Sequence, residues 1–204
     1  MKKLLLLATV FVTASSVSLA DGYKTKPGAE LFYLGASFGQ STLNTGISEG
    51  TSTLDEDDSA FKLYGGLQLN QYLGTELHYA NLGEATLSGN NGSTFSLDGT
   101  NYAFNQSADI AIGAQSFGVS GLLGTKIGAV RPFIKGGLHR WSADAKYSSA
   151  TSSADAESSG FDALFGAGAE LTILGGLNAR AEYERYIVGN MDVDVLSAGL
   201  NYRF

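Results

Sequence analysis

The last ten residues, 195–204, read VLSAGLNYRF, and in them a large or apolar side chain recurs at every second position. Leu196, Ala198, Leu200, Tyr202 and Phe204 fall on one face of an extended segment, and the intervening residues, mostly small or polar, fall on the other. Successive side chains of a β-strand point to opposite faces. The repeat therefore predicts a strand with one face suited to hydrocarbon and one suited to a polar enclosure.

The same alternation recurs upstream. Residues 161–173, 177–184, 61–70 and 31–40 alternate clearly, and residues 73–87, 109–127 and 130–147 alternate less regularly. With the terminal segment this makes eight predicted strands. Short connections near residues 70–72, 128–129 and 174–176 alternate with long ones at 41–58, 88–108 and 148–159, and the connection near Gly189 is short. Short turns on one side and longer loops on the other are typical of transmembrane barrels.

Composition narrows the class of function. The 204 residues include 27 Gly and no Cys, so a disulfide scaffold and a thiolate metal site are excluded. Lys and Arg number 13 against 20 Asp and Glu, a formal charge of −7, which provides no general attraction to nucleic acid. We expect no nucleic-acid partner, no metal and no cofactor.

The N-terminus reads as a secretory signal peptide over residues 1–20, with Lys2 and Lys3, an apolar run and the small-residue ending Ser18-Leu19-Ala20. The expected mature domain, residues 21–204, then has 204 − 20 = 184 residues, or about 23 for each of eight strands with its connection, against ~9–11 for the spanning part of a tilted strand. The predicted fold is all-β, an eight-stranded antiparallel transmembrane barrel. A soluble sandwich or barrel also alternates, but it would enclose its apolar face and expose its charged one.

The short turn at residues 174–176 predicts one buried pairing. It places Glu170 opposite Arg180 on the inward face, where directly opposed side chains lie close together. The turn at residues 71–73 similarly predicts that Gln68 faces Glu76. An eight-stranded barrel is narrow enough for side chains to fill it, so these groups are expected to form a polar plug.

The sequence resembles the transmembrane domain of outer membrane protein A and the wider outer-membrane β-barrel family. The resembling stretches are Phe32-Tyr33-Leu34-Gly35-Ala36; residues 65–74 with Glu76, Tyr79 and Leu82-Gly83; Trp141 with Ala143-Asp144; Gly168-Ala169-Glu170; Arg180-Ala181-Glu182-Tyr183; and Asn201-Tyr202-Arg203-Phe204. The resemblance implies an outer-membrane location, contact with outer-membrane lipid and lipopolysaccharide, and assembly by the barrel-assembly machinery. The chain stops at Phe204, so we expect no peptidoglycan-binding domain.

In that family, alternative interior ion pairs close or open a narrow passage, and Glu76, Glu170 and Arg180 match three of the four positions. The family's Lys position falls on Leu122, so one of the alternative ion pairs lacks its cation at that position. Lys62 and Lys135 are candidate replacements, and Glu182 shares the inward face with Arg180. Two interpretations remain open, a gated small-solute pore and a structural plug.

Aromatic residues near the strand ends predict two girdles at headgroup depth: Trp141, Tyr147 and Tyr186 at the loop end, and Tyr72, Tyr202 and Phe204 at the turn end. Leu200, Tyr202 and Phe204 also resemble the C-terminal signal for assembly.

The predicted role is structural and at the cell surface, and the alternative is an adhesin or receptor that binds an extracellular ligand through the loops. A lipid A-modifying enzyme is a remote alternative, because neither His78 nor His139 has a Ser beside it in a local nucleophile–base motif. We therefore predict no enzymatic activity.

Overall fold

Strands account for almost all of the regular structure, as the alternation predicts. The computed structural model describes residues 32–97 and 99–204, so the predicted signal peptide lies outside the described residues. Twelve strands are formed there: β1 (Phe32–Asn44), β2 (Ile47–Glu49), β3 (Thr53–Asp55), β4 (Asp57–Gln68), β5 (Leu73–Gly89), β6 (Thr94–Leu97), β7 (Thr100–Ala103), β8 (Ala108–Gly124), β9 (Val130–Ser149), β10 (Ser153–Leu174), β11 (Leu177–Val188) and β12 (Met191–Arg203).

Eight of these strands close into an antiparallel barrel. The order is β5-β4-β1-β12-β11-β10-β9-β8, and β5 pairs with β8 to complete the ring. The predicted fold class is therefore confirmed. Closure leaves no free sheet edge within the ring, which a barrel in hydrocarbon requires.

The outer wall of the barrel is apolar. Leu34, Leu63, Leu77, Ile134 and Leu200 are each about half exposed, whereas the residues that alternate with them are buried or half-buried. Exposure of so many large apolar side chains is what a surface in contact with lipid requires. Within the described residues, none of the secondary structure is a helix long and apolar enough to cross a bilayer.

One bulge alters the alternation on β5. The register with β8 shifts between Asn81 and Glu84, where Gly83 adopts a φ of +82°. A Cβ at Gly83 would lie 2.6 Å from the Ser41 Oγ, so the bulge needs glycine for both its backbone angle and its space. After the bulge, Ala85 and Leu87 point inward, which explains why this segment alternates less regularly in the sequence.

The two ends of the barrel differ. Residues 69–72, 125–129 and 175–176 make the connections of the turn end, where Phe32 and Phe204 also lie. At the loop end, β5, β8, β9 and β10 continue well past the short β11–β12 turn at residues 189–190 and form a tall sheet, here called the projecting wall.

The predicted long loop at residues 148–159 is wrong, because β9 and β10 continue as paired strands until only residues 150–152 remain between them. The connections predicted at 41–58 and 88–108 are shorter than expected and contain the small sheet β2-β6-β7.

The prediction of an aromatic girdle at the loop end made of Trp141, Tyr147 and Tyr186 is wrong. Trp141 and Tyr186 are buried inside the barrel, and Tyr147 packs on the apolar cluster of Leu87 and Phe104 in the projecting wall. A different set of rings on the outer wall forms a belt, here called the aromatic belt: the half-buried Phe61 and the exposed Phe38, Tyr79, Phe117, Phe161 and Tyr183. Neighbouring rings touch, with centroids 6.4 Å apart for Phe38 and Phe61 and 6.0 Å for Phe61 and Tyr79.

At the turn end, Tyr72, Tyr202 and Phe204 are exposed on the outer wall, as a lower girdle requires. The rings of Tyr202 and Phe204 pack edge to face, with centroids 5.1 Å apart.

Candidate functional site

The inward side chains fill the barrel with a polar core below an apolar cap. Several charged side chains converge because they occupy the alternate strand positions that face the interior. They are Glu76 on β5, Lys62 on β4, Lys135 on β9, and Arg180, Glu182 and Glu184 on β11. Six charged side chains therefore meet in one buried group, here called the central ion cluster. It contains three cations and three carboxylates, so its formal charge is zero.

The cluster is continuous. Arg180 donates through Nη1 to the Glu76 Oε2 at 2.6 Å and through Nε to the Glu182 Oε2 at 2.5 Å. The Lys135 Nζ lies 3.2 Å from carboxylate oxygens of both Glu76 and Glu182 and also pairs with Glu184. Lys62 pairs with Glu182 and Glu184. Every charge thus has an opposite partner, which burial in a low dielectric demands.

Aromatic side chains hold the cluster in place. The Arg180 guanidinium lies 4.5 Å from the ring centroids of both Tyr64 and Phe133. The Tyr33 hydroxyl donates to the Glu76 Oε2 at 3.1 Å, and the Tyr186 hydroxyl donates to the Glu184 Oε1 at 3.0 Å. Cation–π contacts and charge-assisted hydrogen bonds fix the rotamers of the ions and leave little free space around them.

A second ionic group lies nearer the turn end. Glu170 accepts from Arg203 at 2.5 Å, from Arg131 at 3.4 Å and from the Asn201 amide at 3.1 Å. The predicted register of Glu170 with Arg180 is confirmed, but the nearest atoms of the pair are 3.8 Å apart. Arg180 instead makes its hydrogen bonds to Glu76 and Glu182.

The Lys position of the resemblance is compensated from the next strand. Leu122 is buried on β8, and its register partner on β9 is Lys135, whose side chain reaches Glu76. The cation is therefore present beside the position where the resemblance predicts it. The structure also brings Lys62 into the same cluster.

The predicted pairing of Gln68 with Glu76 is wrong. Glu76 lies opposite Gly66, and Gln68 lies opposite Gly74. The Asn70 Oδ1 accepts from the backbone amides of Tyr72 and Leu73, both at 2.8 Å, so the turn is centred one residue earlier than predicted.

Two buried histidines share one hydroxyl above the central ion cluster. The His139 Nε2 lies 2.9 Å from the Ile187 carbonyl oxygen, which only accepts, so Nε2 carries the hydrogen. In the neutral ring Nδ1 is then an acceptor, and Ser116 donates to it at 2.9 Å. The hydroxyl in turn accepts from the His78 Nε2 at 3.2 Å, and no hydrogen-bond partner for the His78 Nδ1 lies among the described residues.

Both imidazoles pack edge to face on Tyr186, with centroids 5.8 Å and 5.3 Å from its ring. The sequence alone does not reveal this group, because Ser116 is 38 residues from His78 and 23 residues from His139 along the chain. All three side chains are at most 2% exposed, so the arrangement offers a nucleophile and two bases but gives no surface at which a substrate could meet them.

An apolar cluster closes the barrel at the loop end. It consists of Leu43, Ala60, Ala80, Leu82, Ala85, Ala114, Trp141, Ala143, Leu164, Tyr186, Val188, Val193 and Val195. Leu82, Leu164, Val188 and Val193 are at most 1% exposed. We call this layer the apolar cap. The sequence indicates one member of this layer, because Tyr186 lies on the same face of β11 as Glu182 and Glu184.

Within the described part of the chain, no group of three or more His, Asp or Glu side chains could hold a metal ion. The carboxylates of the core instead face lysine and arginine. The charged side chains of the interior therefore neutralise one another.

A closed eight-stranded barrel with an apolar wall, aromatic rings at both ends and a charged interior defines an integral outer-membrane protein. The chain belongs to the outer membrane protein beta-barrel domain family, whose model matches residues 4–204. This membership supports an outer-membrane location. A comparison with curated proteins finds no match.

Solved outer-membrane proteins share the fold. Ail, the attachment invasion locus protein of Yersinia pestis, solved in complex with the heparin analogue sucrose octasulfate, is 18% identical, with a TM-score of 0.53 over 85% of this chain and 99% of that one. Neisserial surface protein A is 20% identical, with a TM-score of 0.50 over 85% and 97%. A major outer membrane protein of Thermus thermophilus is 11% identical, with a TM-score of 0.56 over 85% and 98%.

Proposed function

We propose that this integral outer-membrane protein acts at the cell surface through the part of the barrel beyond the aromatic belt, and that it neither conducts solutes nor catalyses a reaction. The observation that carries the proposal is the filled interior. The central ion cluster occupies the middle of the barrel, and the apolar cap closes the loop end above it. A hydrated solute would have to displace both layers.

The competing function is a gated pore that opens when the interior ion pairs rearrange. The connected carboxylates around Arg180 favour it, because Glu76, Glu170 and Glu182 all lie within 4 Å of that guanidinium. Against it, rearranging the ions leaves the apolar cap in place. Movement of Arg180 from Glu76 towards Glu170 would therefore not by itself connect the two ends.

Single-channel recording in planar bilayers separates these functions. The wild-type protein is expected to give a current no larger than the bare bilayer, and Arg180→Ala is expected to give the same result because the cap is intact. A large general porin in the same bilayers is the control for insertion and sensitivity. Discrete openings of the wild type that change in Arg180→Ala or Glu170→Gln would contradict the proposal and support a gate.

We further propose that the surface role is recognition. The projecting wall supports this, since β5, β8, β9 and β10 carry paired strands far beyond the belt instead of ending at the headgroups. The attachment protein Ail is similar to the chain in fold only. A loss of surface attachment or phage sensitivity after shortening the β9–β10 hairpin, with the barrel still folded, would support recognition, and unchanged phenotypes would count against it.

Contacts with membrane components are proposals of the same kind. The aromatic belt and the lower girdle are positioned for outer-membrane lipid and lipopolysaccharide. The outward row of Leu200, Tyr202 and Phe204 on β12 is proposed as the segment that the barrel-assembly machinery reads before folding. Substituting all three by Ser should reduce the amount of folded protein in the outer membrane, which fractionation measures. An equal amount of folded protein would contradict the assignment.

A further inference from the structure

A cleft of about 520 Å³ lies high on the projecting wall, and neither the ion cluster nor the barrel fold explains it. It opens on the outward face, above the surface that contacts lipid. Asp109, in its floor, is separated from the belt residue Phe117 by about 26 Å along β8, at ~3.3 Å per residue. The cleft is therefore outside the bilayer, and its volume is in the range of ligand sites.

A row of four side chains from four neighbouring strands forms the floor. Thr53 is the register partner of Ser88, Ser88 of Asp109, and Asp109 of Ser148. Neighbouring strands are ~4.8 Å apart, so hydroxyl, hydroxyl, carboxylate and hydroxyl groups follow one another at that interval. Among the residues that the structure describes, none of these four side chains has a hydrogen-bond partner.

The floor is rigid because an apolar layer supports it from behind. Leu87, Phe104 and Ala108 form a buried cluster on the opposite side of the same sheet, and Ile110 and Tyr147 pack against it. The residues that line the cleft are all small, none larger than Asn or Asp, which leaves the cleft deep. Four free polar groups are thus held at fixed spacing in a concave site, which reduces the entropy lost when a ligand binds.

The lining restricts the chemistry of the ligand. Among the described residues that line the cleft, none is basic or aromatic, and Asp109 is the one acid. A sulfated or phosphorylated ligand would meet a carboxylate without a compensating cation, and an apolar ligand would leave the hydroxyls unpaired. The groups instead match a neutral molecule that has many hydroxyls, because a carboxylate accepts from two of them and Ser and Thr both donate and accept.

We propose that this cleft binds a neutral saccharide. The proposal rests on the proposed recognition function and names its ligand class. The lateral position of the cleft, on the face that continues the lipid-contacting wall, favours the saccharide chain of a glycolipid in the same membrane over a saccharide on an opposing surface. Without an aromatic ring for stacking, the affinity is expected to be modest, with a Kd of ~1 mM.

The test uses the full-length folded protein in detergent and saturation-transfer NMR. The probes are neutral oligosaccharides released from bacterial lipopolysaccharide, neutral oligosaccharides released from animal-cell glycoproteins, and sucrose octasulfate. The variants are Asp109→Asn, which keeps the shape of the floor, and Ser88→Val, which removes a hydroxyl. Asp155→Asn, on the same wall but outside the lining, is the matched control. Heat-modifiable gel mobility verifies that each variant is folded.

The wild type and Asp155→Asn are expected to bind the bacterial oligosaccharides equally. Asp109→Asn should bind about ten- to a hundred-fold more weakly, as expected for loss of hydrogen bonds to a charged group, and Ser88→Val should also be weakened. Binding of the animal-cell probes alone, with the same loss in Asp109→Asn, would support the saccharide site and assign its ligand to an opposing surface. Equal binding by Asp109→Asn and Asp155→Asn, tighter binding of sucrose octasulfate, or no binding of any neutral probe would overturn the proposal.

These outcomes are independent of the conductance measurement. A protein that conducts ions and also binds saccharide would contradict the proposed closed barrel but not the cleft. A closed barrel that binds none of the neutral probes would contradict the cleft alone.

Discussion

Replacing Arg180 with methionine is expected to lower the free energy of unfolding by about 3–5 kcal/mol, the usual effect of removing one partner from a buried ion pair. Arg180 is 3% exposed and is hydrogen-bonded to Glu76 and Glu182. Methionine approximates its aliphatic volume between Tyr64 and Phe133 but removes the charge. The central ion cluster then has two cations for three carboxylates, and one buried negative charge is uncompensated.

Charge balance makes a sharper prediction for the double variant Arg180→Met/Glu182→Gln. Lys62 and Lys135 then face Glu76 and Glu184, and the formal charge returns to zero. The double variant should therefore be more stable than the sum of the two single effects predicts, with a coupling energy of at least ~2 kcal/mol.

The assay is equilibrium urea unfolding in lipid vesicles followed by tryptophan fluorescence. Trp141 is the one tryptophan of the 204 residues, and it lies in the apolar cap, so its emission reports loss of the closed barrel. Arg185→Met is the control, because Arg185 pairs with Asp194 at the surface, at a side-chain exposure of 37%, and its loss should change the stability far less than the loss of Arg180. Additive effects of Arg180→Met and Glu182→Gln, within about 0.5 kcal/mol, would refute the reasoning.

Three further predictions follow from single sites. Gly118→Ala should strongly destabilise the barrel, because the new Cβ would lie 2.6 Å from the His139 Cβ and 2.7 Å from the His78 Cε1. Gly121→Ala on the same strand, whose nearest neighbour atom is 4.0 Å away, should be tolerated, and urea unfolding that gives the two variants the same stability would contradict this. Ser116→Ala leaves the His139 Nδ1 and the His78 Nε2 hydrogen unpaired and should cost about 1–3 kcal/mol in the same assay, with Ser120→Ala, whose hydroxyl has no partner among the described residues, as a near-neutral control. Arg185 and Asp194 form an exposed ion pair, so added salt should weaken its contribution to stability; Asp194→Asn should reduce the salt dependence of urea unfolding, and an unchanged dependence would rule the pair out as its source.

The alternation was enough to predict the eight strands, the inward face and the register of Glu170 with Arg180. Each follows from a period of two and a short turn, which are local properties of the chain. The turn before β5 was placed one residue late because its centre is fixed by the Asn70 side chain, which accepts from the amides of Tyr72 and Leu73. A hydrogen bond from a side chain to its own turn leaves no mark on the hydrophobic pattern.

Residue type was a poor guide to the girdle at the loop end. Aromatic rings are common at headgroup depth, which favours Trp141 and Tyr186 as girdle residues. Each ring, however, lies two residues from an inward-facing side chain of the same strand, His139 or Glu184, and so faces inward as well. Alternation along the strands therefore predicts the inward position of both rings, whereas residue type does not. The meeting of His78, Ser116 and His139 was not readable, since it depends on the closure of β5 onto β8 and on the packing of both rings against Tyr186.

The energetics of the interior bear on the proposed function at the surface beyond the aromatic belt. An open state populated once in a hundred molecules lies only about 2.7 kcal/mol above the closed one, at ~1.36 kcal/mol per factor of ten. Separating Arg180 from Glu76 and Glu182 without new partners costs at least as much, at about 3–5 kcal/mol. Water would also have to pass side chains of the apolar cap that are at most 1% exposed, such as Leu82 and Val193. The contacts that neutralise the buried charges also obstruct the axis of the barrel, so the same contacts stabilise the fold and block the passage. A ligand can bind at the surface beyond the belt without disrupting them.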